Sequence, residues 1–224
     1  MIRFVTGTDT GVGKTVACAV LAYRARTAGQ KVRYVKPAQT GVKGDAPGDA
    51  AFVAAVAGVD AKEILRFDEP LAPAVAAERA GRSIDFDGLT ADVLKHETGV
   101  ELLLVEGAGG LLAPLAGNRE MADLASALRA ELVVVVRPAL GTLNHTALTL
   151  EAADRRGLTV TGLVISGWPA RPGLAERTNM ERLRAMAPLM AVVRRLRGLS
   201  VDDRRGDILR QALEAGTAVV EPPG

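Results

Sequence analysis

The chain has 224 residues, 48% of them hydrophobic and 3% aromatic, and a formal net charge of +2. That is enough apolar material for a substantial core resting on Ala, Val and Leu, and no apolar run reaches the ~18 residues of a membrane span. The single cysteine, Cys18, excludes an internal disulfide, fits a reducing, cytoplasmic compartment and falls in a helical pattern where it reads as a small core residue.

The chain opens on a short apolar run, 2–5, with no signal-peptide pattern before it. The stretch 6–15, Thr-Gly-Thr-Asp-Thr-Gly-Val-Gly-Lys-Thr, follows directly, and a helical pattern over 14–28 comes next. Strand, glycine-rich loop and helix in that order form a phosphate-binding loop. Its backbone N–H groups close around phosphate oxygens, Lys14 reaches the terminal phosphates, and the Thr15 hydroxyl is placed to hold Mg²⁺. The strict pattern requires glycine at the position of Thr8; Gly7 stands one residue upstream, so the match is to a relaxed form.

A second strand is expected over 32–35, ending in Lys36-Pro37. On the residues alone, Lys36 is either a solvated lysine at a strand end or a cation turned toward a ligand crevice. A Gly/Pro-rich loop, 42–48, precedes a helix over 49–56. Asp49 can cap that helix or act as a site carboxylate, and Asp45 is a rival in the same loop.

A helix over 87–96 leads to the strand 102–105, which passes into Glu106-Gly107-Ala108-Gly109-Gly110. Ligands of parallel sheets bind beyond the carboxyl ends of strands. Glu106 is therefore expected in the same crevice as the loop, positioned for Mg²⁺.

Further helices are expected over 121–130, 143–156 and 174–186, with strands over 132–136 and 159–165 and a loop over 168–173. Leu140-Gly141-Thr142-Leu143-Asn144-His145 opens the helix at 143, whose free N–H groups suit a carboxylate; His145 by itself reads as structural. Beyond Arg194, a helix over 202–215 and a tail over 219–224 complete the reading. Nearly continuous apolar strands alternating with helices predict one α/β domain over 1–224. It has three α/β/α layers and a mostly parallel central sheet of the P-loop NTPase type.

Arginines gather at 182–184, 194–197 and 204–205, but no aromatics interleave with them and acidic residues lie nearby, so no nucleic-acid face is expected. No histidine or cysteine pair has zinc-ligand spacing.

Taken together, these segments resemble dethiobiotin synthetase. The likeness rests on 6–15, Lys36-Pro37 with Thr40-Gly41, and the acidic loop with Asp49. It continues through Pro70-Leu71-Ala72-Pro73, Val105 to Gly110, Leu140 to His145 with Leu148-Thr149, and Gly162-Leu163-Val164, covering roughly residues 1–190. The loop is shared with many NTPases; the combination is far more specific.

The resemblance implies a step of biotin synthesis. Diaminopelargonic acid is carboxylated on one amine by CO₂, the carbamate is phosphorylated by ATP, and the second amine closes the ureido ring. It implies Lys14 and Lys36 as catalytic cations, Thr10, Lys36 and Thr40 as substrate contacts, and Thr15, Asp49 and Glu106 as Mg²⁺ ligands. Nucleotide contacts are implied for Gly11, Val12, Gly13, Lys14, Thr15, Val16, Asp49, Glu106, Gly107, Ala108 and Gly109. It also implies a homodimer in which Gly141, Thr142, Leu143 and Asn144 of one subunit receive the substrate carboxylate in the other's site.

Two places depart from the family pattern. Ser166-Gly167 stands where relatives commonly carry Asn-Asp, and Val193-Arg194 where an Ile/Leu-Pro pair is frequent. Both lie where the nucleotide base is read, so base selectivity is expected to be loose or to differ from a preference for adenine.

The main rival is a partitioning-type switch ATPase of the same superfamily. Those proteins carry a lysine where this chain has Asp9, and this chain lacks their membrane helix or DNA-binding basic face.

Overall fold

In a computed structural model of the chain, residues 1–196 and 206–220 are described. A central sheet carries the strands β1 (Ile2–Gly7), β2 (Val32–Thr40), β3 (Asp60–Phe67), β4 (Leu102–Gly110), β7 (Glu131–Val136), β8 (Val160–Trp168), β9 (Leu189–Arg194) and β10 (Val219–Val220). Between β4 and β7 lies a small antiparallel hairpin of β5 (Pro114–Ala116) and β6 (Arg119–Glu120). The order in the sheet is β10-β9-β8-β7-β1-β4-β2-β3, and every neighbouring pair is parallel except β10 with β9.

The helices are α1 (Lys14–Thr27), α2 (Asp49–Ala57), α3 (Pro73–Arg79), α4 (Phe86–Lys95), α5 (Met121–Ala127), α6 (Thr142–Asp154), α7 (Leu174–Met186) and α8 (Gly206–Glu214). Successive strand side chains point to opposite faces, and the core divides accordingly. Val5, Leu102, Leu104, Val133 and Val135 pack with α1, α2 and α8. Phe4, Leu103, Val105 and Leu132 pack with α4, α5 and the end of α6, while Val134, Val136 and Ile165 pack with α7. This covering of both faces is why the central strands read as unbroken apolar runs.

The structure corrects several expectations. Strands β3 and β9, helix α3 and the hairpin were not foreseen. β3 is an edge strand, half-exposed and rich in charged residues, so it lacks the apolar signature of its neighbours. Helix α3 has only seven residues and starts at Pro73, a residue suited to the first helical turn. Val219–Val220, expected in a tail, pairs antiparallel with Val192 and Val193. The expected helix 202–215 is present from Gly206; its first residues, like 221–224 of the expected tail, lie outside the described residues. Helices α5 and α6 end before 130 and 156.

Strand β2 also runs past its expected end at 35, so Lys36 lies within the strand and not at its exit. Hydrogen-bonded pairing with β4 does stop at Val35, opposite Val105, while pairing with β3 continues to Thr40. Pro37 has no N–H to donate. Strands β2 and β4 therefore part just where the chain turns polar, and a crevice opens between them.

Candidate active site

A cavity of about 370 Å³ lies at the carboxyl ends of β1, β2 and β4, lined by the glycine-rich loop, the end of β2, the start of α2 and the end of β4. The loop follows from its sequence. Gly11 and Gly13 take φ of 68° and 93°, left-handed values that glycine adopts without strain. A side chain on Gly13 would also collide with Ser166, whose Oγ stands at the place of a Cβ. Lys14 Nζ donates to the Asp9 carbonyl at 3.1 Å, and Arg137 donates to the Thr10 carbonyl at 2.8 Å from the far side of the loop.

Alternation on the strands decides what meets beside the loop. Tyr34 and Lys36 project from the same face of β2, and Tyr34 is in register with Leu104 of β4, so the next position on that face of β4, Glu106, stands opposite Lys36. Glu106 is 1% exposed and accepts three side-chain donors. Oε1 takes Lys36 Nζ at 2.7 Å and the Thr15 hydroxyl at 2.9 Å, and Oε2 takes the Tyr34 hydroxyl at 2.8 Å. The Lys36 ammonium also lies 2.7 Å from Asp49 Oδ2. A carboxylate this deep is tolerable only with such compensation.

The electrostatics are those of a compact ion cluster. Burial by itself pulls the Lys36 pKa down, but the charges of Glu106 and Asp49 and their hydrogen bonds more than offset it, so the group is held above the ordinary lysine value and stays charged. Lys14 goes the other way, lowered to about 8. Burial is the largest cause; Glu106 opposes it, and the charge of Lys36 reinforces it. Burial also pushes up the Tyr34 hydroxyl, with Glu106 adding to the effect, so Tyr34 remains a donor. Burial and then Glu106 raise the Cys18 thiol, which is fully buried in α1 as expected of a small core residue.

Asp49 is the first residue of α2, with Gly48 at the cap position, so the capping role open to it on sequence is not the one it takes. Its N–H donates to Gln39 Oε1 at 2.9 Å and its carboxylate faces Lys36. Asp45 is exposed and is not among the residues lining the cavity.

Of the residues singled out in the sequence, the cavity gathers Thr10, Gly11, Gly13, Lys14, Thr15, Val16, Lys36, Thr40, Asp49, Glu106, Ala108 and Gly109. Val12 and Gly107 are not in its lining: Val12 is buried in the core, and Gly107 is packed so closely on the Phe4 ring that a Cβ would approach it to 2.9 Å. Gly141, Thr142, Leu143 and Asn144 are not in the lining either. They open α6 beside a second depression of about 270 Å³ lined by Leu112, His145 and Leu148 among others.

Tyr34, Gln39 and Arg137 were missed. Tyr34 reads as one more apolar strand residue, and its polar end acquires a purpose only when β4 is set beside β2. Arg137 follows a strand with no motif around it.

Among the described residues, no group of three or more His, Cys, Asp or Glu side chains could hold a metal ion. Two carboxylates and a hydroxyl converge all the same, and the Lys36 ammonium already lies between the carboxylates as a stand-in cation. Mg²⁺ typically binds through one or two carboxylates together with substrate phosphates, so Thr15, Asp49 and Glu106 fit such an ion beside a nucleotide.

Comparison with known proteins gives consistent results. Residues 3–200 match a family described as an AAA domain. A protein of Mycobacterium avium (strain 104) named ATP-dependent dethiobiotin synthetase BioD is 52% identical over 86% of both chains. One of the same name from Rhodococcus jostii (strain RHA1) is 50% identical over 83% of this chain and 81% of its own. Among solved structures, the MinC:MinD cell division complex of Aquifex aeolicus contains a similar fold (TM-score 0.59, 13% identity, 100% and 98% covered). So does the septum site-determining protein MinD complexed with Mg-ADP from Pyrococcus horikoshii OT3 (TM-score 0.53, 17% identity, 96% of both chains covered). At these identities the structural likeness shows the P-loop α/β fold and nothing finer.

Proposed function

The chain belongs to the dethiobiotin synthetase family, and from that premise we propose that it closes the ureido ring of dethiobiotin from diaminopelargonic acid and CO₂ at the expense of ATP, as a step of biotin synthesis. The observation that carries this reading is the Lys36 ammonium, buried between Glu106 and Asp49 at the mouth of the phosphate loop. It is a fixed positive charge where a carbamate and a transferring phosphoryl group would meet.

The chemistry divides into three bond changes. One substrate amine adds to CO₂ and forms a carbamate. A carbamate oxygen takes the γ-phosphoryl group, and ADP leaves. The second amine attacks the carbamate carbon, the carbon–oxygen bond to phosphate breaks, and inorganic phosphate departs. None of these needs a protein nucleophile; they need alignment and neutralisation of charge.

Gly11 and Gly13 let the loop approach the phosphates, with Val12, Val16, Gly107, Ala108 and Gly109 completing the nucleotide's surroundings. Lys14 and Lys36 offset charge on the phosphates and carbamate, and Thr10 and Thr40 hydrogen-bond the substrate. Thr15, Asp49 and Glu106 would hold Mg²⁺. The ion would neutralise the triphosphate and polarise its oxygens.

We read residues 1–224 as one cytoplasmic domain that acts as a homodimer. No described helix is long and apolar enough to cross a membrane. Gly141, Thr142, Leu143 and Asn144 do not line the cavity of their own subunit, which supports a role in the partner's site. Leu140, 91% exposed, and the half-exposed Leu148 and Leu112 supply an apolar surface around that segment.

Incubation with diaminopelargonic acid, bicarbonate, Mg²⁺ and a nucleoside triphosphate should give the cyclic urea by mass. Absence of product with every triphosphate overturns the reading. The rival switch-ATPase reading has only the distant fold likeness behind it.

A further inference from the structure

We propose that Tyr34 is a metal-specificity residue: by tying down Oε2 of Glu106 it leaves that carboxylate a single oxygen for a cation, which favours Mg²⁺ over Ca²⁺. The proposal rests on the reading of Thr15, Asp49 and Glu106 as the metal ligands.

The two oxygens of Glu106 live in different surroundings. Oε1 faces the crevice, where Lys36 Nζ and the Thr15 hydroxyl reach it at 2.7 and 2.9 Å. Oε2 points the other way along the same face of the sheet and receives the Tyr34 hydroxyl at 2.8 Å. Tyr34 is completely buried in the core between the sheet and helices α1 and α2, so it has no solvent-facing alternative for its donor. Its ring is held by packing, and its phenolic proton is held by the lack of any route to water. Rotation of Glu106 to offer both oxygens to one ion would break this bond and leave a buried hydroxyl unpaired, a costly arrangement.

That constraint separates the two common divalent cations. Mg²⁺ is small, requires near-octahedral geometry and accepts one oxygen from each carboxylate. Ca²⁺ takes six to eight oxygens at longer distance and gains from carboxylates that bind through both. With Oε2 occupied, Glu106 serves the first ion well and the second poorly. Tyr34 acts through Glu106 and touches neither nucleotide nor substrate, so it is a positioning residue.

The test uses the full chain with a non-hydrolysable triphosphate and Mn²⁺ as a paramagnetic probe. Mg²⁺ or Ca²⁺ is titrated in, and displacement of Mn²⁺ is followed by electron paramagnetic resonance. In the wild-type protein Mg²⁺ should displace Mn²⁺ at lower concentration than Ca²⁺. In Tyr34→Phe, which keeps the ring, the preference should shift toward Ca²⁺ by roughly tenfold, the lower end of what removing a ligand's hydrogen-bond partner does to metal affinity. A merely structural role would weaken both ions alike, and an unchanged ratio in the folded variant overturns the proposal. Should the variant fail to fold, the wild-type order decides: Ca²⁺ ahead of Mg²⁺ overturns it. Glu106→Gln separates this from the parent reading. If that substitution leaves Mn²⁺ binding intact, the metal assignment itself fails; if it weakens binding while the Tyr34→Phe ratio stays fixed, only the role of Tyr34 fails.

Discussion

Lys36 and Glu106 meet at the point where strands β2 and β4 part, with Nζ 2.7 Å from Oε1 and both side chains almost fully buried. Removing the cation leaves Glu106 with neutral donors only. Lys36→Met should reduce formation of the cyclic urea by about 10²–10³-fold, the scale for loss of one group that stabilises developing charge. Breaking a buried pair costs about 3–5 kcal/mol when the remaining charge is uncompensated. The Thr15 and Tyr34 donors should hold the loss here to about 2–3 kcal/mol. Product mass and urea melts measure the two effects. Full activity would remove Lys36 from the mechanism.

Lys14 makes stability depend on pH in the absence of metal and nucleotide. Its folded pKa is about 8, against 10.5 for the ordinary group. Between those values the unfolded chain holds a proton that the folded chain has released, so folding is favoured increasingly as pH rises through the window. The penalty is fully present below pH ~8 and amounts to about 3 kcal/mol. Urea melts in EDTA between pH 7.5 and 10.5 should therefore show the wild type gaining on Lys14→Met as pH rises. Parallel curves would discard the idea.

A site shared between subunits can be tested by mixing two inactive proteins. If the proposed homodimer holds, Lys36→Met should damage the cavity of its own subunit, while Asn144→Ala should damage the site of its partner. Each alone should be nearly inactive. After joint refolding, half of the dimers are mixed and each carries one intact site of two, so activity should recover to roughly a quarter of wild type. No recovery from a confirmed mixed dimer would place Asn144 elsewhere.

On the proposed function, base selectivity should depend on what stands at the end of β8. The Ser166 hydroxyl fills the space a side chain on Gly13 of the phosphate loop would need, and Gly167, at φ 85°, brings no side chain. Neither residue offers the amide and carboxylate of an Asn-Asp pair for reading the base. CTP and GTP should support turnover within about tenfold of ATP, because hydrogen-bond readout is what gives larger ratios. Strict dependence on ATP in parallel assays would refute this.

Much of the site was legible in the chain. The phosphate loop is local: its glycines, Lys14 and Thr15 act within ten consecutive residues, so their order alone carries their meaning. Glu106 was legible because four apolar residues before it and glycines after it favour a buried strand over a surface loop, although β4 runs on to Gly110 and not, as expected, only to 105. Edge elements were harder to read. Strand β3 is half-exposed and charged, so its periodicity is diluted, and helix α3 is too short for a helical period to emerge. Tyr34 and Arg137 could not have been found, since each acts on a residue more than 70 positions away.

The sequence by itself determined the class of fold, the anion-binding loop and the identity of the charged groups, because these depend on hydrophobic patterning and on chemistry within a few residues. Tertiary structure alone decided the pairing of those charges. The register of β2 against β4 puts Tyr34, Lys36 and Glu106 on one face, and the parting of these strands after Val35 lets Lys36 lean across to Asp49. It also decided which oxygen of Glu106 meets Lys36 and Thr15 and which is held by Tyr34. Register is a relation between distant segments, and no reading of either segment alone contains it.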